Sequence, residues 1–274
     1  MTNANDIAWC PGCGDFPIRD ALEGALAELA IPPQKIVLTS GIGQAAKMPQ
    51  YLTANYFNGL HGRAMPPAVG IKLARPELTV ITVSGDGCNY GEGGNHFLHT
   101  LRRNLDITIL TCNNQVYGLT KGQSSPTTDR NTANMLDPRG NENEPLNPLA
   151  VAIAVGAPFV ARGFAGEKEH LKDLIKEAIG FRGTAIVDIL QPCVTFNKVN
   201  TYAYYRKRVY KLEIPGKDRR EALEIAGIWG DRIPIGVILR DEDRPVREIA
   251  GRIFQNSVTP AMMEELLRAQ HGAT

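Results

Sequence analysis

Apolar side chains recur at helical spacing over residues 15–30 and stop before Pro32-Pro33, which predicts a helix ended by the proline pair. KIVLTS (35–40) follows as a short buried strand, and GRAMPPAVGIKLAR (62–75) reads as a helix after its prolines. LTVITVS (78–84) and DITILTCN (106–113) are β-branched and almost wholly apolar, as strands covered on both faces are. GGNHFLHTLRRN lies between them with helical character. PLAVAIAVG (148–156), FVARGF, EKEHLKDLIKEAI (167–179) and TAIVDILQ (184–191) continue as helix, strand, helix and strand. Such alternation predicts an α/β fold, a mostly parallel sheet with helices on both faces. Ligands of these sheets bind beyond the carboxyl ends of the strands, here after Ser40, Ser84, Asn113 and Gln191.

Two stretches fall outside the alternation. Residues 124–147 are long, polar and rich in turn formers, which marks a lid, a contact segment or a disordered loop. From residue 194 the chain carries clustered tyrosines and arginines, WGDRIPIGVIL and a final helical stretch. It reads either as an arm that wraps a partner subunit or as a plain C-terminal subdomain. The expected division is a CxxC segment at 1–14, a cofactor domain at 15–193 and an extension or subunit-contact arm at 194–274.

Composition narrows the picture only a little. In 274 residues, 43% are hydrophobic and 22% charged, and the formal net charge is +1. No excess of positive charge points to nucleic acid or to a membrane surface. No apolar run approaches the roughly 20 residues of a spanning helix, and no secretory signal is visible, so a cytoplasmic protein is expected. Five unevenly spaced cysteines without an export signal indicate metal or redox chemistry more than structural disulfides, with Cys112 assigned to the core.

The strand at 78–84 runs into Gly85-Asp86-Gly87. Glycines let a phosphate approach backbone amides, and the carboxylate between them is a hard oxygen ligand for Mg²⁺. Alone, the tripeptide is in most proteins simply a turn. The next strand, however, ends at Asn113-Asn114, so Asp86 and Asn114 are expected to reach one crevice and share a cation.

GDG followed by this asparagine resembles the thiamine-diphosphate enzymes. In that family the ligands of Mg²⁺ are the Asp, the Asn and a backbone carbonyl two residues on, which implies Asp86, Asn114 and Val116. WCPGCGD (9–15), SGIGQAAKMP (40–49), LHGRA (60–64), NNQVYGLTKGQSSPT (113–127), LQPCVTFN (190–197) and WGDRIPIG (229–236) then follow in an order similar to that of the beta subunit of 2-oxoacid:ferredoxin oxidoreductases. The resemblance implies that thiamine diphosphate contacts Gly41, Ile42, Gly43, Gln44, His61, Gly87, Cys88, Gly118 and Leu119. It implies an alpha subunit that completes the site in a heterodimer, addition of the cofactor carbanion to a 2-oxoacid, loss of CO₂, electron transfer to ferredoxin and acyl transfer to coenzyme A. Lys47 and Lys121 become candidates for the substrate carboxylates. The LTKGQ form favours 2-oxoglutarate, with pyruvate next.

The resemblance also implies a [4Fe-4S] cluster on four cysteines, of which Cys10, Cys13 and Cys193 are present and the fourth is Gln44. A neutral amide is a poor substitute for a soft thiolate. Three outcomes stay open: a cluster on three cysteines, recruitment of Cys88, or loss of the cluster. A non-oxidative thiamine-diphosphate decarboxylase or synthase subunit, and a thiol-redox or zinc-binding protein built on the CxxC, are the alternatives.

Overall fold

The computed structural model of the chain describes residues 7–134 and 136–247. Its sheet holds β1 (Ile36–Ser40), β2 (Asn55–Asn58), β3 (Thr79–Gly85), β4 (Thr108–Asn113), β7 (Phe159–Phe164), β8 (Ala185–Leu190), β9 (Val209–Lys211) and β10 (Ile233–Arg240). Across the sheet the order is β2-β1-β3-β4-β8-β7-β10-β9. All neighbouring pairs run parallel except β10, which pairs antiparallel with β7. A separate hairpin joins β5 (Val116–Tyr117) to β6 (Gln123–Ser124).

The strands anticipated from the apolar runs are all present. β2 was not legible: its four residues, NYFN, are all exposed, so no burial pattern marks them. The helix expected after Pro66-Pro67 instead includes them in its first turn, as α2 (Met65–Ala74). A proline costs nothing there, because its missing N–H has no intrahelical acceptor.

Helices cover both faces. On one, α1 (Asp15–Glu28) and α5 (Lys168–Gly180) bury Ile18, Leu22, Leu171 and Ile175 against Leu38, Val83, Leu110 and Val187. On the other, α2, α3 (Gly94–Arg103), α4 (Pro148–Ala154) and α7 (Arg219–Ala226) pack Met65, Phe97, Leu101, Leu149 and Ala222 onto Val80, Ile109, Val160 and Ile186. With both faces buried, every residue of β4, β7 and β8 is buried, which explains their mostly apolar sequences, broken by Arg162 and Asp188.

Residues beyond 193, expected to form an extension, return to this sheet. After α6 (Tyr202–Arg206), β9 and β10 build one edge, and Tyr205, Ile233 and Ile235 pack with Phe164 and Leu190. The final helical stretch read from the sequence lies outside the described residues. No helix among the described residues is long and apolar enough to cross a membrane.

This topology fixes where a ligand binds. From β1 the chain steps outward to β2 and then returns to place β3 on the other side of β1. At such a switch point the loops leaving two parallel neighbours diverge and open a crevice. Here those loops are residues 41–44 and 85–88.

Candidate active site

β3 and β4 are parallel neighbours in register, Gly85 opposite Cys112, so the segments leaving them emerge on the same side. Asp86 and Asn114 accordingly line one cavity of about 290 Å³, together with Val116. The three implied metal ligands are thus brought together.

The local backbone explains how. Gln115 is held in the left-handed region at φ 57°, unusual for a residue with a side chain. The kink turns Asn114 and Val116 toward the same space, and the Asn114 carboxamide oxygen accepts from the Val116 amide at 3.1 Å. Thr128 fixes the kink by donating its hydroxyl to the Gln115 carbonyl at 2.7 Å. Strain of this kind persists only where its surroundings over-determine it.

Asp86 is buried, with Ser125 Oγ 2.5 Å and Thr127 Oγ1 2.7 Å from its Oδ2. Burial, helped by the charge of Asp188, lifts its pKa to about 6 against the lowering effect of the two hydroxyls. Behind it, Thr127 Oγ1 lies 2.8 Å from Asn113 Oδ1, and the Asn113 amide donates to both Asp188 oxygens at 3.1 Å. Tyr90 donates its hydroxyl to Asp188 at 2.8 Å. Burial raises Asp188 as well, but Asp188 lines a neighbouring cavity with the buried Arg162, whose charge offsets part of that rise. A buried carboxylate is stabilised by a cation, and the hydroxyls on Oδ2 leave the remaining lone pairs of Asp86 to receive one. The donor set, a carboxylate, an amide oxygen and a carbonyl, fits Mg²⁺.

Ser125 and Thr127 come from the polar segment 124–147, whose role the sequence left open. Its hydroxyls Ser125, Thr127 and Thr128 are all buried. The run SSPTT was the available signal, since adjacent small hydroxyls can bond a carboxylate as well as their own turn.

Of the implied cofactor contacts, Ile42, Gly43, Gln44, His61, Gly87, Cys88, Gly118 and Leu119 line the cavity. Gly41 stands behind it, its amide donating to Ser84 Oγ at 3.2 Å. A Cβ on Gly41 would lie 2.3 Å from Cys88 Sγ, and that sulfur accepts from the Gly62 amide at 3.2 Å. Cys88 is therefore packed between loops. His61 bridges the rim, with Nε2 2.7 Å from Glu92 and Nδ1 3.3 Å from the Ile42 carbonyl. Tyr117, which the sequence reading did not single out, donates its hydroxyl to Glu92 at 3.2 Å and stacks over Gly87. Lys47, on the short 3-10 turn after Gln44, and Lys121, exposed in the hairpin at φ 80°, are not among the lining residues.

A Cβ on Gly87 would sit 2.2 Å from the Tyr117 ring. Gly87→Ala is expected to displace Tyr117 into the cavity and weaken thiamine diphosphate binding roughly tenfold to a hundredfold, the cost of overpacking a tight contact by about 1–3 kcal/mol. Binding isotherms of the assembled enzyme check this; unchanged affinity would contradict it.

A second cavity borders the first. Cys10, Cys13, Cys193 and Gln44 line it, with Asp15 and Gln191. The Gly14 amide donates to the Pro192 carbonyl at 3.1 Å, and Trp9 Nε1 donates to the Gln44 carbonyl at 2.9 Å. These bonds tie the CxxC turn, the Gln44 loop and the Cys193 segment together. Among the described residues no group of three or more His, Cys, Asp or Glu side chains is placed to hold a metal ion. Burial, then the charge of Asp15, pushes the Cys13 thiol well above its ordinary range. Three buried oxygens at this cavity, Asp15 Oδ1, Gln44 Oε1 and Gln191 Oε1, have no hydrogen-bond partner. The sulfurs accept N–H hydrogen bonds, Cys13 from the Gln191 side-chain amide and Cys193 from the Phe196 backbone amide, both at 3.4 Å, as the thiolates of an iron–sulfur centre do.

Residues 39–189 match the family described as thiamine pyrophosphate enzyme, C-terminal TPP binding domain, and residues 193–266 match the C-terminal family of the pyruvate ferredoxin oxidoreductase beta subunit. The chain is 47% identical over 249 residues to the 2-oxoacid:ferredoxin oxidoreductase subunit beta of Saccharolobus solfataricus, covering 85% of this chain and 82% of that one. It is 42% identical to the 2-oxoglutarate oxidoreductase subunit KorB of Mycobacterium tuberculosis, covering 72% of this chain and 53% of that one. Its fold matches 2-oxoglutarate:ferredoxin oxidoreductase from Magnetococcus marinus, solved with 2-oxoglutarate, coenzyme A and succinyl-CoA bound, with TM-score 0.86, 34% identity and coverage of 99% and 89% of the two chains. The cavity at the β1–β3 switch point and these likenesses agree: the chain belongs to the beta subunits of the 2-oxoacid:ferredoxin oxidoreductases.

Proposed function

We propose that this chain holds the diphosphate end of thiamine diphosphate through Mg²⁺ and, with an alpha subunit, oxidatively decarboxylates a 2-oxoacid, 2-oxoglutarate before pyruvate. The observation that carries this is the convergence of Asp86 and Asn114 from adjacent strand ends on one cavity. Bound there, thiamine diphosphate supplies the nucleophilic carbon and electron sink that decarboxylation requires. Asp86, Asn114 and the Val116 carbonyl hold the metal. Gly43 and Gly118 leave room at the cavity wall for phosphate oxygens. His61 and Tyr117, tied through Glu92, shape the rim.

The substrate carboxylates are assigned to Lys47 and Lys121, which flank the lining residues Ala45 and Thr120 in sequence. A second anionic end on 2-oxoglutarate matches two cations better than pyruvate does, and the names of the Mycobacterium and Magnetococcus proteins support that preference. The coenzyme A bound to the latter supports coenzyme A as acyl acceptor here, and ferredoxin is the electron acceptor by the same analogy. A cluster at Cys10, Cys13 and Cys193 would carry single electrons outward.

The apolar rim favours a partner at the mouth of the cavity. Ile42 and Leu119 line it at 43% and 42% exposure, and Leu60 nearby is 75% exposed. Exposed apolar groups around a ligand cavity mark a surface another chain covers. Co-expression with the alpha subunit followed by assays on 2-oxoglutarate and pyruvate tests the function; activity on neither would defeat it.

Thr127→Val keeps the shape of the side chain but removes the hydroxyl that positions Asp86. Groups that orient a metal ligand are worth about 10–100-fold in metal affinity. The variant is expected to need more Mg²⁺ by that factor, measured as the metal concentration giving half-maximal cofactor binding, and an unchanged requirement would contradict the role.

A further inference from the structure

We propose that Gln44 supplies an oxygen ligand to the metal centre at Cys10, Cys13 and Cys193, so that one iron of the cluster is held differently from the other three and is readily lost. This rests on the reading of that cavity as a cluster site. The three thiols and the Gln44 side chain line a single cavity. The Gln44 carboxamide oxygen is buried without a hydrogen-bond partner, on a half-buried residue that stands between this cavity and the one lined by Asp86.

The backbone of Gln44 is held from two sides, which fixes where its side chain starts. The Gln44 carbonyl accepts from Trp9 Nε1 at 2.9 Å and from the Lys47 amide at 3.2 Å, so the residue is locked at the start of the 3-10 turn Ala45–Tyr51. Trp9 is in turn clamped edge-on between Phe16 and Tyr51. The other two orphan oxygens belong to groups already engaged with sulfur. Gln191 donates its amide to Cys13 Sγ at 3.4 Å, and Asp15 Oδ2 accepts from Cys13 Sγ at 3.6 Å. Gln44 is the acceptor at this cavity with no such engagement. Cys88 is a poor substitute: its sulfur is buried on the neighbouring cavity, where it accepts from the Gly62 amide.

Chemistry follows from the donor set. Thiolates bind iron tightly and carry charge; a carboxamide oxygen binds weakly and carries none. The iron at that corner therefore exchanges. A one-electron oxidant such as ferricyanide takes one electron from [4Fe-4S]²⁺, the core releases one Fe²⁺, and [3Fe-4S]⁺ remains on the three thiolates. Charge balances, since the oxidised core and the released ion together exceed the starting charge by the one electron removed. The missing thiolate also leaves the assembly one unit less negative, which raises its reduction potential and makes it a milder reductant than an all-thiolate cluster.

The test uses the alpha–beta complex reconstituted anaerobically with iron and sulfide. It is titrated with ferricyanide while electron paramagnetic resonance follows the cluster and a ferrous chelator follows released iron. The wild type is expected to develop the three-iron signal and release one iron per cluster. Gln44→Cys is expected to keep its four-iron cluster through the same titration, with a lower midpoint potential. Gln44→Ala is expected to lose iron faster than the wild type, and Cys88→Ala to behave as the wild type does. A wild-type cluster that survives as four-iron, an identical response in Gln44→Cys, no difference between Gln44→Ala and wild type, or dependence on Cys88 would each overturn the assignment. No iron or sulfide in any of the proteins would instead defeat the cluster reading beneath it.

Discussion

Asp86→Ala in the assembled complex is expected to abolish Mg²⁺-dependent binding of thiamine diphosphate and to lower kcat/KM roughly a thousandfold or more, since a bound metal contributes several kcal/mol at its site. The same change should leave the fold intact. Asp86 is buried and its pKa is raised to about 6, against an ordinary value of 3.8, so the folded protein without metal disfavours its charged form. Such a group makes stability fall as pH rises from about 4 to about 6, and above that range the carboxylate is a net cost to the fold. Replacement by alanine or asparagine therefore costs little stability at neutral pH, apart from the hydroxyls of Ser125 and Thr127 that lose their acceptor. Lost binding with a Tm close to that of the wild type is the expected pair of results. Lost binding accompanied by unfolding would instead make Asp86 structural, and retained tight binding would remove it from the metal site. Asn114→Ala is expected to behave similarly with a smaller loss, because a neutral amide oxygen contributes less to a divalent cation than a carboxylate.

The isolated chain is expected to turn over 2-oxoacid at least about a thousandfold more slowly than the complex, because half-site binding cannot fix the reacting atoms and positioning alone is worth several powers of ten. The matched thiamine domain spans residues 39–189, and its cavity of about 290 Å³ opens between exposed Ile42 and Leu119. A dye-linked assay of the chain alone, then with added alpha subunit, measures the difference. Turnover by the chain alone at a rate near that of the complex would contradict the shared site.

What the sequence made legible follows the burial of its elements. Strands with both faces covered, β3, β4, β7 and β8, announced themselves as apolar runs, and the GDG and NNQ motifs at the ends of β3 and β4 could be joined on topology alone. β2 could not, because Tyr56 and Phe57 are about half exposed at the sheet edge. β10 lies in WGDRIPIGVIL, to which no element was assigned from the sequence, although Ile233, Ile235 and Ile238 are buried. The diphosphate site was legible residue by residue where ligands follow strands directly. Its supports were not: Ser125 and Thr127 reach Asp86 and Asp188 reaches Asn113 across 39 to 75 residues, and Tyr90 reaches Asp188 across 98, which no local pattern encodes. Glu92 and Tyr117 escaped for the same reason, since their contact arises only when the turn after β3 folds against the hairpin.

The most direct measurement is the anomalous diffraction of Mn²⁺ substituted for Mg²⁺ in crystals of the alpha–beta complex with thiamine diphosphate. One manganese peak bonded to the Asp86 carboxylate, the Asn114 side-chain oxygen, the Val116 carbonyl and the diphosphate is the expected outcome. Manganese elsewhere, or cofactor seated with no metal between those two strand ends, would contradict it.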